Sequence, residues 1–276
     1  MKQSTELLLR TKSWLVIIAF LAAGFYLHPK GIVFAFAFVS FIALKEYFTL
    51  IHTRMEDHRA LLWSYLIIPI QYYWAYNFRP TLFFIFIPVY AFLFIPFRLL
   101  LNKNLSGIIN SMAKIQWGLL AFVYSISHVA LLSIRENTDV IIYGGKGLVL
   151  YLILLTTLND IAQYVCGKTF GSIKISPNVS PNKTWEGFIG GVVVTVVLAN
   201  LLIPLSGFDY LFASLSGLLI SCSGFMGDLT ISALKRDLGV KDSGNLLPGH
   251  GGILDRIDSL TYTAPIFYHF VNYFFY

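Results

Sequence analysis

The chain has 276 residues, of which 57% are hydrophobic and 12% are charged, with a mean hydropathy of +0.70 and a formal net charge of +6. Soluble domains carry about 25% charged residues, so the composition excludes an ordinary soluble protein and predicts a multi-span membrane protein. The two cysteines, Cys166 and Cys222, lie in or beside apolar segments. Their placement matches neither a disulfide framework nor a zinc site.

Nine apolar segments have the length of a transmembrane helix, which needs about 20 mostly apolar residues. In chain order they are residues 13–28, 31–51, 61–77, 81–100, 115–134, 147–166, 187–206, 210–228 and 259–276. None shows the alternation of polar and apolar residues that a membrane β-barrel requires. The predicted fold class is therefore all-α, a polytopic integral membrane protein with about nine transmembrane helices.

The placement of Lys and Arg predicts the orientation of these helices. With nine spans and a cytoplasmic N-terminus, 15 of the 20 basic residues fall on the cytoplasmic side and four on the opposite side, while Lys45 lies within the second span beside Glu46. This asymmetry follows the positive-inside rule. It places the two longest polar segments of the C-terminal half, residues 167–186 and 229–258, on the cytoplasmic side of the cell (inner) membrane.

The first polar stretch of interest is LNDIAQYVCGKTFG, residues 158–171, where Asp160 falls inside the sixth apolar segment. A carboxylate at membrane depth costs about 2.5–3.5 kcal/mol on insertion scales, so it usually has a function or a partner. A structural ion pair with a nearby Lys or Arg is the plainer alternative. By itself this stretch identifies no chemistry.

The second stretch is ISPNVSPNKTWEGFIGG, residues 175–191. Its two Ser-Pro steps favour extended or turned backbone, and Thr184 is predicted to cap a helix that begins near Trp185. Glycines in the first turns of this helix would let a neighbouring helix pack closely. Lysines cluster near the predicted helix start, which is a natural place for phosphate, although no Walker A spacing occurs.

The third stretch runs from Gly227 to Ser259 and includes LKRDLGVKDSGNLLPGHGGILDRIDS. Asp228 ends the eighth apolar segment, and Asp255 and Asp258 are three residues apart, so they share one face if the segment is helical. Neither Asp228 nor Asp255 has a Lys or Arg four residues away on its apolar side, so no local ion pair is expected. Carboxylates beside clustered Lys and Arg suit a magnesium–polyphosphate site, and glycines let backbone N–H groups approach an anion.

The run from Ser232 to Asp258 resembles the signature of phosphatidate cytidylyltransferases, also called CDP-diacylglycerol synthases. The ND…Y…GK…FG stretch, the SPNKTWEGFIGG stretch and the Gly-Asp-Leu before the signature are also similar to that family. The resemblance covers about residues 155–260. The sequence departs from the family at Gln163, where a small residue is usual, and at Asn182, where Lys or Gly is common, which leaves open a different lipid preference.

The resemblance implies transfer of a cytidylyl group from CTP to phosphatidic acid, giving CDP-diacylglycerol and pyrophosphate. It implies that Asp228 and Asp255 bind Mg²⁺, with a second cation such as K⁺ beside it. The residues expected to be catalytic are Asp228, Asp255, Lys235, Arg236 and His250. Those expected to bind substrate are Asp160, Lys168, Ser180, Lys183, Glu186, Lys241, Asp242, Gly251, Gly252, Arg256 and Asp258.

The same reading divides the chain into N-terminal membrane helices, residues 1–140, and a catalytic half with cytoplasmic motif loops, residues 141–276. The expected partners are CTP and membrane phosphatidic acid, with no nucleic acid, and a homodimer is left open. Three alternatives remain: an ion-coupled transporter, a membrane scaffold or lipid-binding protein, and a CDP-alcohol phosphotransferase. The DxxDGxxAR motif of the last is absent, and the polar residues concentrate in loops on one side rather than along a transport pathway.

Overall fold

The computed structural model describes residues 15–26, 28, 30–101, 105–244 and 251–276. Its helices are α1 (Leu15–Tyr26), α2 (Gly31–Leu50), α3 (His58–Tyr76), α4 (Pro80–Leu100), α5 (Ile108–Ser133), α6 (Gly144–Phe170), α7 (Trp185–Leu201), α8 (Ile203–Ser206), α9 (Tyr210–Asp237), α10 (Leu254–Ile257) and α11 (Leu260–Phe275). Two short antiparallel strands, β1 (Lys174–Ser176) and β2 (Ser180–Thr184), form a hairpin between α6 and α7.

The mostly helical architecture agrees with the predicted fold class, and each predicted apolar segment overlaps a helix within the described residues. By length and composition, five helices of the described chain could cross a membrane: α2, α4, α5, α6 and α9. Helices α1 and α7 are apolar but shorter. The count of nine spans therefore stays a prediction. The β-hairpin was not predicted, although the Ser-Pro steps that favour extended backbone lie within it.

Contacts between residues divide the chain into two compact units. The first is drawn from residues 1–131 and 242–255, and the second from residues 132–241 and 256–276. The predicted functional division at residue 140 stays a prediction. The segment that resembles the family signature thus contributes residues to both units, because the chain returns to the first unit after α9.

In the first unit, helix α2 packs against α3 and α5. Several buried hydroxyl groups of this unit are hydrogen-bonded within it: the Ser40 and Tyr72 hydroxyl oxygens lie 2.7 Å apart, and Tyr72 donates to the Phe36 carbonyl at 2.8 Å. The Tyr47 hydroxyl donates to the Lys114 carbonyl at 2.9 Å. Such bonds offset the cost of burying polar atoms among apolar helices.

Close packing of α6 on α7 dominates the second unit. A Cβ atom on Gly187 would lie 2.8 Å from the Gly167 Cα, and one on Gly190 would lie 2.7 Å from the Cys166 Sγ. The predicted small-residue face of α7 is therefore confirmed, because these glycines let the two backbones approach closely. The predicted N-cap is also confirmed, since the Thr184 Oγ1 accepts a hydrogen bond from the Gly187 N–H at 3.2 Å.

Candidate active site

Three aspartates from different parts of the second unit form an acidic cluster, which we define as Asp160 on α6, Asp228 on α9 and Asp258 just before α11. Ser259 connects two of them: its hydroxyl donates to Asp160 Oδ1 at 3.0 Å, and its backbone N–H donates to Asp258 Oδ1 at 2.8 Å. Burial raises the pKa of Asp258 well above its usual value, and the negative charges of Asp228 and Asp160 raise it further.

A glycine beside Asp228 allows this grouping. A Cβ atom on Gly227 would lie 2.5 Å from the Asp258 carbonyl oxygen and 3.2 Å from the Ser259 Cα, so any larger residue would push α9 away from the chain that enters α11. Sequence analysis named all three aspartates as site residues. It paired Asp258 with Asp255, however, and the structure shows that Asp258 also interacts with Asp160 and Asp228.

Lys183, at the end of the hairpin, balances part of this negative charge. Its Nζ lies 2.5 Å from Asp228 Oδ2, and the two side chains are 15% and 31% exposed. The expectation for Asp228 concerned only a local ion pair, and its partner lies on another element. The cation comes from a strand 45 residues earlier in the chain, a contact that helical spacing does not predict.

The Lys183 ammonium is buried beside an aromatic ring. Its Nζ lies 4.6 Å from the centroid of the Phe225 ring. Within the described residues the Nζ donates no hydrogen bond of normal geometry, although it forms the short ion pair with Asp228. An ammonium group has three donors. The side chain is thus able to bind further oxygen atoms, and phosphate oxygens are suitable acceptors.

A pocket of about 190 Å³ opens beside this ion pair. Its lining combines predicted site residues with residues that were not predicted, namely Asp160, Gln163, Tyr164, Ser180, Asn182, Lys183, Thr184, Gly187, Phe188, Phe225 and Asp228. Pockets that hold a whole small ligand usually measure about 300–1,000 Å³, so this one matches a phosphate-sized group better than a complete nucleotide. Gln163 and Asn182, the two departures from the family pattern, both line it.

Glu186 and Arg236 make protein contacts around the hairpin. Glu186 accepts hydrogen bonds from the Ser172 hydroxyl and from the Ile173 N–H, and these bonds, that of Ser172 first, lower its pKa to about 2. Arg236 donates to the carbonyls of Val179 and Val240 at 3.2 and 3.3 Å. The contact between Arg236 and Val179 joins the hairpin to the end of α9. The predicted substrate contact of Glu186 and the predicted catalytic role of Arg236 stay predictions.

The glycine-rich end of the signature belongs to the first unit. Asp255 Oδ2 accepts three hydrogen bonds, from the Ser243 N–H and hydroxyl, both at 3.0 Å, and from the Gly252 N–H at 3.2 Å. Gly251 has φ +80°, a backbone conformation that favours glycine. Oδ2 of Asp255 therefore holds Ser243 and Gly252 in place, and the predicted catalytic role of Asp255 stays a prediction.

Glu46 is a functional candidate that sequence analysis did not propose. It lies on α2, is 8% exposed, and accepts hydrogen bonds from the N–H groups of Ile253 at 2.9 Å and Leu254 at 3.1 Å. A carboxylate within an apolar segment was the available signal. From the sequence, Glu46 was noted only as the neighbour of Lys45 within the second span, because the partner amides lie more than 200 residues later in the chain.

The other predicted residues are placed as follows. Lys168, Lys241, Asp242 and Arg256 are exposed, and Lys235 is partly exposed. The positive charge of Lys235 opposes a small part of the rise in the Asp258 pKa, which places Lys235 near the acidic cluster. The Lys168 Nζ lies 5.9 Å from the Tyr164 ring centroid. His250 lies outside the described residues. The roles assigned to all of these residues stay predictions.

Whether this site could hold a divalent cation depends on how its carboxylates are arranged. Among the residues that the structure describes, no group of three or more His, Cys, Asp or Glu side chains is arranged to hold a metal ion. Mg²⁺ is commonly held by one or two carboxylates together with substrate phosphates and water. Asp228 and Asp160 at the pocket wall fit that kind of site, in which substrate completes the coordination, rather than a preformed protein cage.

The long apolar helices, the acidic cluster and the pocket that contains Lys183 define the class of the protein. It is an integral membrane protein whose polar site suits a phosphorylated ligand. The model of the cytidylyltransferase family matches residues 8–274. The chain therefore belongs to the cytidylyltransferase family and is a CTP-dependent nucleotidyltransferase, as the resemblance implied.

Individual relatives agree with this assignment. The chain is 43% identical to the uncharacterised protein YnbB of Escherichia coli over 278 residues, 99% of this chain and 89% of that protein. It is 44% identical to a phosphatidate cytidylyltransferase of Haemophilus influenzae over 137 residues, 46% of each chain. It is 45% identical to a phosphatidate cytidylyltransferase of Bacillus subtilis over 126 residues, 45% of this chain and 47% of that one. The matches to the two named enzymes span about half of their length.

Proposed function

We propose that the protein is a phosphatidate cytidylyltransferase that converts CTP and phosphatidic acid into CDP-diacylglycerol and pyrophosphate. The observation that carries the proposal is the pocket in which Lys183 and Asp228 meet beside Asp160, within a chain of the cytidylyltransferase family. A buried ammonium with donors to spare suits a phosphate group. The relatives named phosphatidate cytidylyltransferase support this pair of substrates.

The reaction is a nucleotidyl transfer. An oxygen of the lipid phosphate attacks the α-phosphorus of CTP, a new P–O bond forms, the bond to the β-phosphate bridging oxygen breaks, and pyrophosphate leaves in line. Transfers of this kind depend mainly on positioning and on neutralising charge. In this chain Lys183 would bind a phosphate group in the pocket, with Ser180 beside it, and Lys235 and Lys241 would supply further positive charge.

We propose that Mg²⁺ is the cofactor and that Asp228 and Asp255 would hold it, with a second cation such as K⁺ nearby. When bound, the ion would neutralise phosphate charge. Asp228 lines the pocket and pairs with Lys183, and Oδ2 of Asp255 accepts hydrogen bonds from Ser243 and Gly252. Both assignments rest on the family resemblance together with the donor chemistry.

A lipid and a water-soluble nucleotide meet most directly at the membrane surface. Helix α9 has 28 residues, about 42 Å at 1.5 Å per residue, which exceeds the roughly 30 Å hydrocarbon core. Its charged end carries Lys235 and Arg236, so the excess length would lie on that side and bring Asp228, nine residues before the end of the helix, close to the interface. We place this end of the helix at the cytoplasmic face of the inner membrane.

Turnover should require all three components at once. We expect the purified protein in detergent to release pyrophosphate and form a CDP-lipid only when CTP, phosphatidic acid and Mg²⁺ are present together. Diacylglycerol, which lacks the attacking phosphate, is the matched control and should give no product. Transport of a solute by a folded preparation that does not consume CTP would contradict the proposal.

The proposed orientation predicts a labelling pattern in intact cells. In a background with Cys166 and Cys222 replaced by Ala, cysteines at Asn178 and Asp237 should react with an impermeant maleimide only after the cells are opened. Both positions are exposed in the structure. A cysteine at Asp139, exposed between α5 and α6, should react in intact cells. The reverse pattern would contradict a cytoplasmic site.

A further inference from the structure

Two carboxylates, those of Asp255 and Glu46, accept hydrogen bonds from the glycine-rich turn at residues 251–254 and from Ser243. Asp255 accepts hydrogen bonds from Ser243 and Gly252, and Glu46 accepts hydrogen bonds from Ile253 and Leu254. Five hydrogen bonds therefore fix the described parts of this turn. Only one of the two carboxylates belongs to the signature, since Glu46 comes from α2 in the N-terminal part of the chain.

The geometry at Glu46 requires a carboxylate. Its Oε2 accepts from the Ile253 N–H at 2.9 Å and its Oε1 from the Leu254 N–H at 3.1 Å, so both oxygens act as acceptors for successive amides. A glutamine offers only one oxygen, and its NH₂ group would face a second donor. An aspartate is one methylene shorter and does not reach the same two amides from the same backbone position.

Packing around Glu46 also explains a glycine of the signature. A Cβ atom on Gly252 would overlap the Glu46 Oε1 and the Ser243 Oγ, and one on Gly244 would lie 3.2 Å from the Glu46 Cδ. The backbone therefore lies directly on the carboxylate at Gly244 and at Gly252. Gly252 and Gly244 have a packing reason to be glycine whether or not they contact substrate.

We infer that Glu46 is the positioning residue that orients Asp255 and the Gly251–Gly252 turn for nucleotidyl transfer. It acts through the backbone of Ile253 and Leu254, the two residues immediately before Asp255, and does not itself contact the reacting atoms. This inference rests on the proposed function, because it assigns Asp255 to the reaction. It gives the N-terminal helices a part in the chemistry that the signature alone does not contain.

The test compares Glu46→Gln and Glu46→Ala with wild type, and uses Glu56→Gln, an exposed carboxylate of the same unit, as the matched control. Hydrogen–deuterium exchange without substrates is measured first. Exchange at Ile253 and Leu254 should become about tenfold faster or more in Glu46→Ala, because both amides lose their acceptor, and should be intermediate in Glu46→Gln. Glu56→Gln should leave it unchanged.

Kinetics supply the second readout. Turnover of Glu46→Gln should fall by about ten- to a hundredfold, the range that loss of a hydrogen bond to a charged group covers. The Mg²⁺ concentration for half-maximal activity should rise, while the KM for CTP stays within about threefold of wild type because the pocket around Lys183 is intact. A residue needed only for folding would lower the amount of active protein and leave the Mg²⁺ requirement unchanged.

The results distinguish a wrong positioning role for Glu46 from a wrong proposed function. If wild type turns over CTP but the Glu46 variants keep wild-type exchange or wild-type turnover and Mg²⁺ dependence, the positioning role is wrong. If wild type does not turn over CTP, the proposed function is wrong, and faster exchange at Ile253 and Leu254 still establishes that Glu46 orders the turn. Faster exchange together with slower, more Mg²⁺-demanding turnover supports the inference.

Discussion

Asp228→Asn is expected to lower CTP turnover by about a hundredfold or more, the scale on which the loss of one electrostatic stabiliser is felt. The substitution keeps the size of the side chain and removes its charge. In the structure this carboxylate lies at the pocket wall, 2.5 Å from Lys183 and within hydrogen-bond reach of the Ser232 hydroxyl at 3.2 Å. Steady-state release of pyrophosphate at several Mg²⁺ concentrations measures the effect.

Stability distinguishes loss of chemistry from loss of structure. Asp228→Asn removes the ion pair with Lys183 but also relieves repulsion with Asp160 and Asp258, so the two changes oppose each other. The free energy of unfolding should change by only about 1 kcal/mol, less than the 3–5 kcal/mol for breaking a fully buried pair. Lys183→Met removes the cation and leaves the acidic cluster without its compensation, so it should lower the thermal midpoint further.

The double variant Lys183→Met with Asp228→Asn completes this test. It should recover most of the thermal stability that Lys183→Met loses, because neither charge remains unpaired, yet it should not recover turnover. Asp139→Asn, which changes an exposed carboxylate between α5 and α6, serves as the control for both measurements. Near wild-type activity of Asp228→Asn at ordinary Mg²⁺ would make Asp228 a structural partner of Lys183 and direct the search for the metal site to Asp160.

Asp255→Asn is expected to have an effect of similar size, about a hundredfold or more on turnover. An asparagine can place its amide oxygen where Asp255 Oδ2 accepts from Ser243 and Gly252, so the turn should persist. The negative charge and the acceptor character of the second oxygen are lost. Turnover and Mg²⁺ dependence in detergent, with the circular dichroism spectrum as a check on folding, measure the result.

Ser243→Ala is the matched control for Asp255→Asn. It removes the hydroxyl donor to Asp255 but keeps the backbone N–H of residue 243, so one of three hydrogen bonds is lost and the carboxylate remains. Its turnover should fall by less than about tenfold. If Ser243→Ala and Asp255→Asn reduce turnover equally, Asp255 serves the turn alone and its proposed metal role is wrong.

Several local features of the second unit could be predicted from the sequence. The Thr184 cap and the glycine face of α7 are both confirmed, because each depends on residues within one turn of a helix or on a spacing along it. The helical positions of the apolar segments are predictable for the same reason. The hairpin was missed, since its strands are only three and five residues long and carry no apolar alternation.

Composition, apolar periodicity and a long motif by themselves determined that this protein is a helical membrane protein with the signature of a cytidylyltransferase. These properties are additive along the chain or local to one segment, so they can be derived from the sequence without the tertiary structure. The sequence also contained Lys183, Asp228, Asp258 and Glu46 as separate residues. Their partners could not be derived from it, because helical spacing describes neighbours on one element only.

Tertiary structure alone decided which charges meet. Lys183 reaches Asp228 from a strand, Ser259 joins Asp160 to Asp258, and Glu46 holds amides more than 200 residues away in the sequence. Each of these contacts depends on how helices pack, and that packing is set by the sum of many small contacts and by glycines that allow close approach. Hydrogen bonds require donor–acceptor distances of about 3 Å and Coulomb energies weaken as charges separate, so the chemistry of the site follows from that packing.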